Sequence, residues 1–376
     1  MAQFLQVDRV FTGTEFLNNV TLKIEQGKIT ELGHDSVESA QKLNGLLVPG
    51  FIDVQVNGGG GAFFNAEQTP SCLHKIAHSH GQFGSTVVMP TLITDSIEVM
   101  NKAADAIAQA INDKVPGVLG VHFEGPHLSL PKKGTHSEKF IRGISEAEFA
   151  VYARQDLGLK MVTLAPENVS VNDIKRLVDC GVKVCLGHTN ADFDTAMAAL
   201  DAGADGFTHL FNAMSAFTSR EPGVVGAALW HNTSWCGLIV DGHHVHPASA
   251  KLAIGTKPKG KIMLVTDAMP PVGTDDTEFD FFDGRTVIRT GDRLNSSTGE
   301  LAGSVLDMAS AVRNTVNTLD ISLDEALRMA STYPSEYLGL EKSKGKIDVG
   351  FDADFVLLDN NQNALATYVL GNNITE

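Results

Sequence analysis

Hydrophobic and polar positions fall into two textures along the chain. Residues 1 to about 47 alternate with the period of two that marks half-buried strands: Phe4-Gln6-Asp8 against Leu5-Val7, then Val20-Thr21-Leu22-Lys23-Ile24, a turn at Gln26-Gly27-Lys28, and Ile29-Thr30-Glu31-Leu32. From Leu46 the pattern becomes a continuous apolar run, L-L-V-P-G-F-I-D-V-Q-V-N-G, which suits a strand buried on both faces.

Runs of the second kind recur at residues 84–91, 117–124, 160–166, 183–188, 206–211, 235–242 and 261–267. Helix-like stretches lie between most of them: Ser96 to Asn112, Glu146 to Asp156, Val171 to Cys180 and Asp192 to Ala202. With the strand at Leu47 this makes about eight βα units, the number that closes a barrel of parallel strands. An open doubly wound sheet is the alternative, but no G-x-G-x-x-G follows the first strand. Past Asp267, residues 274–300 read as an inserted β-hairpin, and Ser304 to Thr318 and Leu323 to Ser331 as helices, the second ended by Tyr333-Pro334. Residues 345–359 return to β chemistry. The expected fold is α/β: a (β/α)8 TIM-type barrel over 48–339, with a small β-sandwich domain built from 1–47 and 340–376.

The chemistry gathers where barrel strands end. Glu124 in V-H-F-E-G-P, His188 in C-L-G-H-T, His209 in F-T-H-L-F-N-A-M and Asp267 in M-L-V-T-D-A-M-P each follow an apolar run, and a parallel barrel brings such ends to one rim. Two imidazoles and a carboxylate suit a borderline metal such as zinc, with a position left for a water whose pKa the metal lowers. Asp267 follows I-M-L-V-T, and its carboxylate has three readings there: metal ligand, proton carrier or helix cap.

Composition narrows the partners. The 376 residues are 43% hydrophobic and 20% charged, with a formal net charge of −16, which disfavours nucleic acid and anionic membranes. An anionic ligand therefore needs a local basic pocket. Cys72, Cys180, Cys185 and Cys236 form no C-x-x-C pair and read as free thiols in a reducing cytoplasm. Charged residues interrupt the N-terminus before a signal-peptide core could form, and no apolar stretch approaches the roughly 18 residues of a membrane span.

The V-P-G-F-I-D strand and the tail G-x-I-x-x-G-x-x-A-D resemble the amidohydrolase superfamily. Within it, D-V-Q-V-N-G, H-F-E-G-P, K-K-G-T-H, G-H-T, H-L-F-N-A-M, R-E-P-G, D-G-H-H-V and V-T-D-A-M together resemble the N-acetylglucosamine-6-phosphate deacetylases, from about residue 4 to residue 359. The resemblance implies one divalent metal per subunit at Glu124, His188 and His209, with zinc expected and iron, cobalt or manganese as alternatives. Many amidohydrolases carry H-x-H on the first barrel strand, where this chain has Gln55-Val56-Asn57, and Ala165-Pro166 offers no lysine for carbamylation. Both departures point away from a binuclear site, leaving open only a weak second ion near Gln55.

By the same resemblance, Asp267 acts as base and then as acid to the departing amine, and His136 in K-G-T-H binds or polarises the acetyl group. Arg220 in S-R-E-P-G, His244, and the backbone at Asn212 and Ala213 take the sugar phosphate. The arginine comes from a neighbouring subunit, which implies a homodimer. Lys132-Lys133 reads as solvated surface charge and is left outside the site. The implied reaction is hydrolysis of the acetamide of N-acetylglucosamine 6-phosphate. Its galactosamine epimer is the alternative substrate. A non-catalytic sugar-phosphate-binding protein is the rival class, one with no use for an activated water and a proton carrier.

Overall fold

The computed structural model describes residues 2–35, 37–281, 283–297 and 299–375. Eight strands pair in parallel in chain order: Phe51–Val56, Ser85–Ile93, Gly120–Glu124, Leu159–Leu164, Val182–Leu186, Gly206–Phe207, Trp235–Leu238 and Ile262–Leu264. Every residue of Ser85–Ile93 and of Gly120–Glu124 is buried, as strands covered on both faces must be. The last strand returns to the first: the Asp267 N–H donates to the Gln55 carbonyl at 3.0 Å, and Val56 bridges Ala268. The buried Asp53 carboxylate strengthens this seam, accepting from the Gln55 and Thr266 N–H groups and from the Thr266 hydroxyl. These contacts bring the ring of eight strands to near-closure.

The helices between the strands follow from capping and periodicity. In Ile97–Asn112, Ser96 accepts from the Val99 N–H, and Met100, Ala103, Ala104, Ile107 and Ala110 recur at the spacing that buries one face against the barrel. Three helices that the apolar pattern left unassigned, Pro70–Gly81, Gly223–Trp230 and Pro247–Thr256, complete the outer layer. The run expected at 206–211 shortens to Gly206–Phe207, because the chain turns at His209 and Phe211, where φ is +34° and +81°.

The terminal segments form one seven-stranded sheet, in the order Asn372–Asn373, Ala364–Val369, Phe355–Leu358, Gln41–Pro49, Gln3–Phe11, Phe16–Glu25 and Lys28–Gly33. It curls until Ile29 N–H meets the Phe351 carbonyl and Ala353 N–H meets that of Gly27, at 2.9 and 2.8 Å. Leu5, Val7, Leu22, Ile29, Leu47 and Phe355 fill the space enclosed, a core separate from that of the barrel.

Two local expectations change. The inserted hairpin is a three-stranded antiparallel sheet, Glu278–Asp280, Thr286–Thr290 and Arg293–Ser296, with Phe282 and Thr298 of that segment outside the described residues. Pro334 does not end the helical region. Ser331 breaks the helix Leu323–Ala330, and Pro334 falls in the first turn of the next, Thr332–Leu338, where a missing N–H costs nothing. Among the described residues no helix is long and apolar enough to cross a membrane, and all four cysteines are free.

That last helix packs against the starts of two barrel strands. Tyr337 is fully buried, its hydroxyl 3.0 Å from Cys185 Sγ and donating to Asp205 at 3.3 Å. Gly206 leaves it room, since a Cβ there would lie 2.5 Å from Cys185 Sγ and 2.7 Å from the Tyr337 oxygen. Gly206→Ala should therefore overpack the strand that leads to His209 and cost about 1–3 kcal/mol in urea denaturation. An unchanged midpoint would show that Tyr337 can move aside freely.

Candidate active site

The turns after the strands hold their key side chains in an uncommon backbone conformation. His188, His209 and Asp267 have φ of +47°, +34° and +54°, and Ala213 has +50°. For residues with a Cβ such conformations cost of order 1 kcal/mol or more each, and they cluster where a side chain must be aimed. Here they turn three strand-end side chains toward the barrel axis, beside Glu124 at the end of its own strand.

The result is a tight buried cluster. Glu124 Oε1 lies 3.1 Å from His209 Nε2 and 3.2 Å from His188 Nε2, and the two imidazole nitrogens are 3.0 Å apart. His188 Nδ1 lies 2.9 Å from the Lys132 carbonyl, so that nitrogen carries the proton and Nε2 presents its lone pair to the cluster. Burial alone would push Glu124 up, but the two imidazoles more than reverse this and hold it well below the usual carboxylate range. Facing lone pairs and an anion at this spacing suit a shared cation, and the three donor atoms lie within 4.8 Å of one another.

Asp267 stands beside the cluster. Its Oδ1 accepts from Gln55 Nε2 at 3.1 Å and from Asn57 Nδ2 at 2.6 Å, and Gln55 Nε2 also reaches Glu124 Oε2 at 3.1 Å. The first-strand amides thus orient one carboxylate oxygen of this pocket-lining residue and leave Oδ2 without a hydrogen-bond partner among the described residues. Burial and the nearby Glu124 charge raise Asp267 to about 6. His136 packs its ring 4.3 Å from that of His188, with Nδ1 2.9 Å from the Thr94 hydroxyl and Nε2 4.0 Å from Glu124 Oε1. Burial, then the neighbouring His188 ring, holds His136 well below the usual histidine range, so the ring is neutral.

A cavity of about 340 Å³ opens over these groups, lined also by Lys132, Asn212, Ala213, His244, Met269, Glu300 and Leu301. Arg220 is not in its wall. It sits on an exposed turn next to an apolar hollow of about 680 Å³ lined by Phe211, Phe217, Trp230 and Leu252. Phe217, Trp230 and Leu252 are 64%, 72% and 70% exposed and lie together in this hollow, a contiguous apolar patch of the kind that marks an interaction site.

The sequence profile of the Amidohydrolase family matches residues 46–374. The chain belongs to the amidohydrolase family. An N-acetylgalactosamine-6-phosphate deacetylase of Shewanella sp. (strain ANA-3) is 53% identical over 87% of this chain and 83% of its own. The N-acetylglucosamine-6-phosphate deacetylase of Bos taurus is 38% identical over 87% and 82%. The crystal structure of N-acetylglucosamine-6-phosphate deacetylase from Pasteurella multocida superposes with a TM-score of 0.94 at 35% identity, covering 99% of each chain. This amidohydrolase is accordingly a hydrolase of the deacetylase branch, in a superfamily that depends on metal.

Three participants escaped the strand-end reasoning. Lys132, set aside as surface charge, is in the cavity wall and holds His188 with its carbonyl. The K-K-G-T-H motif around it was the available signal. Thr94 orients His136 from the end of another barrel strand, and Gln55 links the cluster to Asp267, a role invisible while it counts only as a missing histidine. With a single cluster among the described residues, purified protein should hold about one divalent ion per chain by elemental analysis, and His209→Ala should hold little. Two ions per chain in the native protein would contradict the single cluster.

Proposed function

We propose that this amidohydrolase cleaves the acetamide of an N-acetylhexosamine 6-phosphate, giving acetate and the free amine. The observation that carries the reading is Asp267 lining the pocket beside the Glu124–His188–His209 cluster, with Oδ1 held by Gln55 and Asn57 and Oδ2 accepting from no described residue. A divalent cation held by those three side chains, zinc by their donor set, would acidify a water and polarise the acetyl carbonyl. Asp267 Oδ2 takes the proton as the water oxygen bonds to the carbonyl carbon, and returns it to the nitrogen as the C–N bond breaks. His136, accepting at Nδ1 from the Thr94 backbone N–H, carries its proton at Nε2 and donates it as a hydrogen bond to the carbonyl oxygen where charge develops.

The galactosamine epimer is the better supported substrate, since 53% identity to an enzyme of that name exceeds 38% to one named for the glucosamine epimer. Asn212, Ala213 and His244 take the phosphate end, and Arg220 reaches it from a second copy of the chain. The apolar face of Phe217, Trp230 and Leu252, continuous with Phe211 beside Asn212, supports that homodimer. Free thiols support a reducing, cytoplasmic setting.

Acetate release from both epimers tests the assignment. We expect turnover of both, with kcat/KM higher for the galactosamine epimer; the reverse order supports the glucosamine reading, and no turnover by metal-loaded protein sinks both. Asp267→Asn should lower kcat by about a thousandfold with ligand still bound. Arg220→Ala should raise KM by about tenfold or more, the loss of a charged hydrogen bond, and sedimentation should find a dimer. A monomer with full activity would remove Arg220 from the site.

A further inference from the structure

The D-G-H-H-V motif contributes His244 to the cavity, and its first residue, Asp241, is bonded to that histidine. Asp241 Oδ2 lies 2.6 Å from His244 Nδ1, and Asp241 Oδ1 accepts from the backbone N–H groups of His243 and His244 at 2.9 Å each. The two side chains are only 6% and 7% exposed, so water does not compete for this contact. Gly242, at φ +81°, makes the turn that folds the carboxylate back under the ring. The loop itself is tied down, because Asn314 Nδ2 donates to the Val240 carbonyl at 2.8 Å.

Resting on the reading of His244 as a phosphate-end contact, we propose that Asp241 is a positioning residue, which fixes the proton of His244 on Nδ1 and aims Nε2 at the substrate phosphate. An ionised carboxylate can only accept, so the imidazole nitrogen facing it must donate. Asp241 stays ionised: burial would raise it, but the bond and charge of His244 hold it down at about 2. Nε2 is then the ring atom left for the cavity, and no described residue hydrogen-bonds to it. With phosphate bound, the ring lies between two anions and donates from both nitrogens, Nδ1–H to Asp241 and Nε2–H to a phosphate oxygen. A histidine without the carboxylate behind it could offer either nitrogen and either face.

Two measurements test this. In protein labelled with ¹⁵N-histidine, the resonances absent from His244→Gln identify His244; at pH 8 the Nδ1–H tautomer is expected, and the Nε2–H tautomer would overturn the proposal. In kinetics, Asp241→Asn should raise KM for the sugar phosphate by about tenfold with kcat within about twofold. In a His244→Ala background the same change should add nothing. Effects of Asp241→Asn and His244→Ala that multiply would mean that Asp241 acts through the fold instead. If the native enzyme turns over neither sugar phosphate, the functional reading fails, and the tautomer still decides the Asp241–His244 pair. It also decides if Asp241→Asn does not fold, because it needs no change at 241.

Discussion

The structure depends on one electrostatic constraint: a carboxylate and two imidazole nitrogens, all buried, converge to within 3.2 Å of one another. Donor atoms with lone pairs facing inward at that spacing are stable together only when something positive is shared among them. Everything around the cluster works to keep them there. The strand Gly120–Glu124 carries the carboxylate, the turns at His188 and His209 accept left-handed backbone to aim their rings, and the Lys132 carbonyl selects the His188 tautomer. A fold without eight strand ends on one rim would have to assemble these groups on loops, at a larger entropic cost.

Closing the barrel and building the chemistry are the same act. The seam between first and last strands is made by Asp267 N–H on the Gln55 carbonyl and by Thr266 on Asp53, and the side chains of Gln55 and Asp267 then meet across it. Gln55 also touches Glu124, so one amide couples the carboxylate of the buried cluster to that of Asp267. The family's other members with histidines at these strand positions would place a positive or metal-bound group where this chain places neutral donors. In the proposed reaction, neutral donors would leave Asp267 able to gain and lose a proton beside a single cation.

Much of this was legible in the order of residues. Long apolar runs marked the barrel strands, since a strand buried on both faces has no alternation to hide, and Glu124, His188, His209 and Asp267 stood out because each follows such a run. The terminal strands were visible through their alternation, although not the curl that brings Gly27–Ile29 back to 351–353, which only long-range pairing sets. The helix Gly223–Trp230 was missed because it is apolar on every side, one face against the barrel and another exposed around Trp230, so no helical period appears. Thr94, Lys132 and Asp241 were missed for a different reason. Each meets one histidine of the pocket, His136, His188 or His244, through a polar contact, and hydrophobic pattern carries no information about which polar atoms meet.

The central claim is that one cation organises this rim, and anomalous diffraction from crystals of the native protein, recorded at the absorption edge of its metal, tests it most directly. The account predicts one strong peak bounded by Glu124 Oε1, His188 Nε2 and His209 Nε2, with Gln55 and Asn57 outside its coordination shell. A second peak of comparable height against Gln55 and Asn57, or a peak that leaves His188 and His209 unbound, would contradict it.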